Sequence, residues 1–598
     1  MSPATPTLAR PIPRLRVMLI IIAVMFSLAA GKAVQVQAID ADAIAAEAAK
    51  QITTTVKIPA LRGTITDRNG EVLAFSESTV TVIADPEMIR TNGKFDEAMT
   101  DADREVAATA PGRLAELIAT YAGGDAADYL PALTKENTRY SIVVKHVSQE
   151  NYTMLRAAMS ESGLIGLSKE NTPSRRYPGG TVASNVIGFT NSEGVGAGGL
   201  EYSLNETLTG VDGSEMYEVS PNGRIPTGTS VLVPAQNGQD YQLTLDAGLQ
   251  LQVEQVLANR VNKTRANYGM AVVMNVKTGE ILALANYPTF DSNKAGEAEA
   301  SELSNRAITD PYTPGSVQKT LTFAALLDAG LVRADDVVEV PGQIKSGNSY
   351  IHDAWSHGTV QFYARGILAK SSNIGTIKLA RKMDKQTLLG YYVSFGLGQK
   401  TNIGLPGESS GVLPTGNIED YTRDGIAFGG SGLSVTLIQE AAAVAAIANG
   451  GVYNPPYLIA STTVDGAMAE IPRDAPHRVV SEDAAAEVVS MMEAMEVNTS
   501  SSVFDIDGYR SGTKTGTARK FNSKCNCFKG LVVSTVGIAP AENPQLLAYV
   551  VIDEPQQGTS GQGVAGPAYQ DIMSIALARY SVPPSTTKSP KLPIYPSK

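Results

Sequence analysis

The sequence predicts an α+β protein. One apolar N-terminal helix is followed by an elongated mixed α/β region and a C-terminal domain whose antiparallel sheet is flanked by helices. Three observations along the 598 residues carry this. A single apolar run lies near the N-terminus. Short strand patterns, an Ala-rich helical stretch and Gly-rich connections alternate up to about residue 235. From 236 to 580, strand patterns open and close a long block of helical ones, which implies a sheet completed by sequence-distant strands. Composition agrees: 43% hydrophobic and 18% charged residues, with mean hydropathy near zero, describe a globular chain and exclude both disorder and a multi-span membrane protein. A net charge of −11 argues against nucleic acid as the main partner.

Residues 1–16 hold Arg10, Arg14 and Arg16 and no acid, which reads as a cytoplasmic tail. VMLIIIAVMFSLAAG follows, uncharged from Val17 to Gly31. With Lys32 snorkelling and AVQV added, the apolar stretch 17–36 reaches about 30 Å, the thickness of a bilayer core. SLAAG also offers small residues for signal cleavage, and both readings stay open. Either way the chain after residue 40 is expected outside the cytoplasm, and the Ala-rich stretch following the anchor favours a continued helix. Residues 37–235 form the elongated region. Within them ITDRNGEVLAF places apolar alternation around Asn69-Gly70, a hairpin expected to turn through type I′. Residues 236–580 form the second domain, and the Pro-rich 581–598 are expected to be disordered. Cys525 and Cys527 are separated by one residue, so a bridge between them would be strained; free thiols or a labile pair are expected. His352 and His357 flank DAWS and read as a polar loop.

Three short motifs carry chemistry: Ser316-Val317-Gln318-Lys319, Ser371-Ser372-Asn373 and Lys514-Thr515-Gly516. Spelling alone does not establish them. Ser585 to Lys588, Ser346-Gly347-Asn348, Ser203-Leu204-Asn205 and Lys277-Thr278-Gly279 repeat the same spacings elsewhere. Context separates them. Ser316 follows Pro-Gly at a helix mouth, Ser371 to Asn373 lie between two helical runs, and Lys514 precedes strand patterns. A serine hydroxyl needs a base to become a nucleophile. A lysine can be that base when burial or a second positive charge lowers its pKa. Residues three apart on a helix share a face, so Ser316 and Lys319 are expected to touch. No Gly-x-Ser-x-Gly elbow is present, which disfavours a histidine-based hydrolase.

The three motifs together resemble those of penicillin-binding proteins and serine β-lactamases. With RGTITDRNGEVLA, RRYPGGTVASNVIGF, GGLEYSLNETLTG, YTPGSVQKTLT, AKSSNIG and GTKTGTA, the chain is similar to class B penicillin-binding proteins of the division-specific, FtsI-like type. It departs from them at FGGSGLSVTLIQ and at the KCNC insertion. The resemblance implies a pedestal (dimerisation) domain and a serine transpeptidase domain that cross-links peptidoglycan through an acyl-enzyme on D-Ala-D-Ala stem peptides. β-Lactams would act as inhibitors, without a metal or other cofactor. By the resemblance Ser316 is the nucleophile, Lys319 its base, Ser371 and Asn373 relay protons and hold the substrate amide, and Lys514 completes the electrostatics. Thr515, Gly516 and Thr517 bind the donor's terminal carboxylate, and the N–H groups of Ser316 and Thr517 form the oxyanion hole. It also implies a polytopic membrane glycan polymerase and division proteins as partners. The alternatives are an elongation-type transpeptidase, a D,D-carboxypeptidase, a β-lactamase, or a non-catalytic scaffold or β-lactam sensor.

Overall fold

The computed structural model describes residues 12–40, 53–220, 223–225, 230–464, 466–498, 502–522, 525 and 527–597. By its internal contacts the chain divides into two units. The first comprises residues 1–60 and 211–236, and the second comprises residues 61–210 and 237–598.

In the first unit, helix Ile12–Val34 continues into one π-helical turn, Gln35–Ile39. The 25 residues Leu15–Ile39 are long and apolar enough to cross a membrane, and their side chains are exposed. Arg10 and the segment 41–52, read above as tail and continued helix, lie outside the described residues. Strand Thr53–Ile58 pairs antiparallel with Gly213–Ser220, which also pairs with Ser230–Val233. Lys57 closes this sheet onto Asp212 at 2.6 Å.

The second unit contains a seven-stranded sheet that draws on distant parts of the chain. Ile65–Thr66 and Val72–Ala84 form the expected hairpin. Ser141–Ser148 and Leu167–Arg176 pair with the latter strand, while Asp240–Leu243 runs parallel to Ile65–Thr66. The hairpin turn differs from expectation. Of Asp67 to Gly70 only Gly70 takes a positive φ, +86°, whereas a type I′ turn needs it at both central residues. Asp67 explains the change: its Oδ1 accepts from the N–H groups of Asn69 and Glu71 at 2.7 and 2.8 Å, an Asx turn that holds Asn69 out of the left-handed region.

A buried charge cluster clamps this part. Glu201, fully buried, accepts from Arg62 Nε at 2.5 Å and Arg175 Nε at 2.7 Å. Arg175 also donates to the carbonyl of Gly63 at 2.7 Å, and Arg62 to Asn205 at 2.9 Å. The spelling Ser203-Leu204-Asn205 is thereby assigned to this clamp.

The five-stranded antiparallel sheet has the order Ile281–Tyr287, Tyr268–Asn275, Leu546–Asp553, Cys527–Ala539, Gly512–Asn522. Its central strands are buried on both faces, so they read as unbroken apolar runs. Met270, Val272 and Met274 face one core. Ala271 and Val273 face the other, against Leu249, Val253 and Leu257 of helix Ala247–Thr264 and Ile572 and Met573 of helix Gly566–Arg579. Every residue of helix Leu437–Ala448 is buried, Gln439 and Glu440 included, which marks a core helix.

The C-terminal tail corrects the expectation of disorder. Ile594 is buried and its carbonyl accepts from Tyr363 N at 3.1 Å. Tyr595 lies on Phe362 with ring centroids 4.9 Å apart. Arg510 N donates to Ser585 Oγ at 2.8 Å. Apolar Ile and Tyr among the prolines supply the burial that a purely polar tail would lack.

Candidate active site

Strand Gly512–Asn522 borders a cleft of about 470 Å³ whose walls include Ser316, Ser371, Asn373, Thr515 and Thr517. Ser316 lies in a 3₁₀ turn, Gly315–Gln318, that runs directly into the α-helix Lys319–Asp328. Two glycines set its place. A Cβ on Gly315 (φ +62°) would lie 2.9 Å from Thr517 N, and one on Gly516 would lie 2.6 Å from the Pro314 carbonyl oxygen. Their absence lets the serine turn and the strand meet backbone to backbone. Gly315 N donates to the Gly429 carbonyl at 3.0 Å, which ties the turn to the Gly-rich loop of FGGSG.

The two lysines converge on one hydroxyl. Lys319 Nζ donates to the Ser371 carbonyl at 2.6 Å and to Asn373 Oδ1 at 2.8 Å, and lies 3.3 Å from Ser371 Oγ. Lys514 Nζ donates to Ser371 Oγ at 3.0 Å and to the Thr515 carbonyl at 2.9 Å. Ser371 has φ +56°, left-handed for a residue with a side chain, the kind of backbone strain found at functional sites. Both lysine residues are fully buried. Burial holds Lys319 well below the usual ammonium range, the charge of Lys514 adds to this, and Asp353 opposes it. Burial lowers Lys514 to about 7. Each lysine therefore reaches its neutral, proton-accepting form far more readily than one in water.

The sequence-predicted residues Ser316, Lys319, Ser371, Asn373, Lys514, Thr515, Gly516 and Thr517 thus meet at one cleft. One expected contact is corrected. Ser316 and Lys319 form no hydrogen bond, since Lys319 directs its donors to Ser371 and Asn373, and Ser316 Oγ has no partner among the described residues. Thr517 Oγ1 accepts from Gly561 N at 3.3 Å, which leaves its own proton to donate into the cleft. The decoys fall elsewhere. Lys277-Thr278-Gly279 is the turn between strands Tyr268–Asn275 and Ile281–Tyr287, with Gly279 at φ +82°. Ser346-Gly347-Asn348 turns another hairpin, with Gly347 at φ +58°.

Cys525 lies at the turn between strands Gly512–Asn522 and Cys527–Ala539. Cys525 and Cys527 are bonded to each other with Cα atoms 5.2 Å apart, the paired alternative of the two expected and not the free thiols; that separation lies within the ordinary range for a bridge. Phe528, the next residue, lines the cleft. Sequence reasoning also missed Asp353 and His357, which meet behind Asn373 at 3.0 Å. The signal was present in DAWSH, where an acid and a histidine four apart precede Ser371.

A helix-mouth serine with two buried lysines close by and a strand alongside is an arrangement suited to serine acyl transfer. The comparisons give the family. Residues 269–574 match the penicillin binding protein transpeptidase domain, and residues 57–243 the penicillin-binding protein dimerisation domain. The chain is 35% identical over 576 residues to penicillin-binding protein PbpB of Mycolicibacterium smegmatis, covering 92% of this chain and 87% of that one. It is 32% identical over 571 residues to the peptidoglycan D,D-transpeptidase FtsI of Escherichia coli, covering 94% and 91%. The crystal structure of penicillin binding protein 3 from Mycobacterium tuberculosis complexed with aztreonam superposes with a TM-score of 0.69 at 30% identity, covering 91% of this chain and all of that one. The chain belongs to the penicillin-binding protein family, and the resemblance to its FtsI-like members holds across nearly its full length.

Proposed function

We propose that the protein is a peptidoglycan D,D-transpeptidase of septal wall synthesis, with Ser316 as nucleophile. The observation that carries this is the convergence of two fully buried lysines on Ser371, beside Ser316, in one open cleft. Neutral Lys319 accepts the Ser316 proton as Oγ attacks the carbonyl carbon of the penultimate D-Ala. The N–H groups of Ser316 and Thr517 hold the oxyanion, and Thr515 and Thr517 receive the terminal carboxylate, with Gly516 letting the strand approach. Collapse breaks the peptide bond, and the proton passes from Lys319 through Ser371 to the departing D-Ala amine. The amine of a neighbouring stem then attacks the ester, its proton leaves by the same route, and Ser316 is restored. Asn373 orients the substrate amide. β-Lactams acylate the same serine; the related mycobacterial protein 3 is known in complexes with aztreonam and ampicillin.

The arginines of residues 1–16 favour that end in the cytoplasm, with the apolar stretch 17–36 in the membrane and both the pedestal of 37–235 and the catalytic domain of 236–580 outside. Glycan strands come from a partner, a polytopic membrane polymerase that meets the anchor and pedestal.

The test is labelling by a fluorescent penicillin. The wild type carries one stable label on the Ser316 peptide, and Ser316→Ala carries none. Unlabelled, folded wild type sinks the reading in favour of a scaffold. Rapid loss of the label marks a β-lactamase, and hydrolysis without transfer to an added amine marks a carboxypeptidase.

A further inference from the structure

Behind Asn373, away from the cleft, lies a buried acid–base pair that the scheme above leaves unused. The side chains of Asp353 and His357 are 0% and 7% exposed. Asp353 Oδ2 lies 3.0 Å from His357 Nε2 and accepts from Ser372 Oγ at 2.6 Å, while Oδ1 accepts from Ile374 N at 3.0 Å. Ser372 in turn accepts from Gly375 N at 2.9 Å and caps helix Asn373–Ala380. Two orphan N–H groups of that helix are therefore satisfied by this cluster, one directly by Asp353 and one through Ser372. The next loop residue back, His352, accepts from Asn373 Nδ2 at 3.1 Å through its carbonyl. The position of Asn373, and through it of Lys319 Nζ, is thus set by the loop His352–His357.

The hydrogen-bond pattern also assigns charge. His357 Nδ1 lies 2.6 Å from the Gly358 carbonyl oxygen, which can only accept, so Nδ1 carries a proton. Ser372 uses its proton on Asp353, because its own oxygen takes Gly375 N–H. The contact between His357 Nε2 and Asp353 Oδ2 holds one further proton, which the ring carries when the carboxyl is ionised. With the carboxyl ionised, His357 is an imidazolium paired with the Asp353 carboxylate. The charged groups facing Lys319 are Lys514 from strand Gly512–Asn522 and Asp353, with His357 behind the latter.

We propose that Asp353 and His357 are positioning residues for the acyl-transfer reaction: the pair fixes the helix that carries Asn373, and its balance of charge sets how readily Lys319 gives up its proton to become the base. This rests on the transpeptidase reading. It assigns the pair an electrostatic as well as a structural part, and the two parts separate experimentally. Asp353→Asn keeps the acceptor for Ile374 N and its contacts with Ser372 and a neutral His357, with Nδ2 now donating to both, but removes the negative charge. His357→Gln keeps a donor to Asp353 but removes the positive charge.

The experiment measures the rate of Ser316 acylation by fluorescent penicillin against pH for the full chain and both variants, alongside thermal unfolding. The acid limb of the profile moves to lower pH in Asp353→Asn and to higher pH in His357→Gln, each by about half a unit or more. A pair that only holds the fold would lower rates or melting temperature and leave both limbs in place, which overturns the proposal. Movement of both limbs in the same direction overturns it as well. An unlabelled wild type overturns the acyl-transfer reading and this inference with it, whereas a labelled wild type with unmoved limbs in the variants overturns this inference alone. Asp353→Ala, which loses charge and hydrogen bonds together, is expected to label at least about tenfold more slowly at every pH.

Discussion

Replacing Gly429 by alanine tests whether the Gly-rich loop sets the place of Ser316. Gly429 has φ +77°, and a Cβ built there would lie 1.8 Å from the Gly315 carbonyl oxygen and 2.9 Å from Gln318 Cβ. The first contact must open by more than 1 Å to reach even the 3.0 Å that real Cβ atoms respect. The atom in the way is backbone, and its residue immediately precedes Ser316, so the movement is transmitted to the nucleophile. Gly432, three residues on, supplies the control. Its φ is +98°, but the nearest atom to its Cβ is Ile426 Cγ2 at 3.6 Å. Both substitutions incur the left-handed strain, about 1–2 kcal/mol, and only Gly429→Ala adds the collision. A displacement of about 1 Å at a reacting group costs on the order of 100-fold in rate. Gly429→Ala is therefore expected to slow fluorescent-penicillin acylation about 100-fold, while Gly432→Ala stays within about threefold of wild type. Thermal unfolding of both variants checks that the loss is not global. Acylation of Gly429→Ala at the wild-type rate, or equal impairment of the two variants, would refute the reasoning.

Three further outcomes are expected. Glu201→Gln leaves the buried Arg62 and Arg175 without their shared carboxylate and should lower stability by about 3–5 kcal/mol, read by denaturant unfolding. Lys514 has a folded pKa of about 7 against 10.5 ordinarily, so between those values the unfolded chain binds the extra proton and stability rises with pH. Lys514→Met, which titrates nowhere, should accordingly be most stabilised relative to wild type below pH 7, with the gap closing toward pH 10.5; a gap independent of pH in paired melting curves would contradict the shift. Deleting residues 581–598 exposes the seat of Ile594 and Tyr595 and should cost about 1.5–3 kcal/mol, whereas a disordered tail would be removed without effect.

What the chain's letters disclosed, and what they withheld, divides along physical lines. Ser316, Lys319, Asn373 and Lys514 were legible because chemistry demands those residue types and because the local patterns, a helix mouth and a strand, could be read around them. The central strands were legible because burial on both faces leaves a continuous apolar run, as in GMAVVM. Asp353 and His357 were not, since DAWSH reads as a solvated loop until the fold brings Ser372 and Ile374 onto the carboxylate. The turn at Asn69-Gly70 was misread because Asp67, outside the dipeptide, decides it. The tail was misread because proline content was weighed above two apolar side chains near its end. The direct Ser316–Lys319 contact was inferred from spacing along an ideal helix, whereas the serine sits in a 3₁₀ turn and the lysine has better acceptors across the cleft.

The order of strands in the five-stranded sheet has a consequence for how the protein is made. Two strands come from residues 268–287 and three from residues 512–553, with the helical block between them. A chain emerging N-terminus first carries Ser316 and Lys319 long before Lys514 exists, roughly 200 residues of synthesis later. Until those last strands arrive, the early pair has exposed edges and the serine lacks its second lysine and the backbone of Thr517. On the proposed mechanism, the nascent protein would therefore be unable to acylate until then. A product released early, anywhere before residue 512, would present the serine motif intact and still be unable to complete the site.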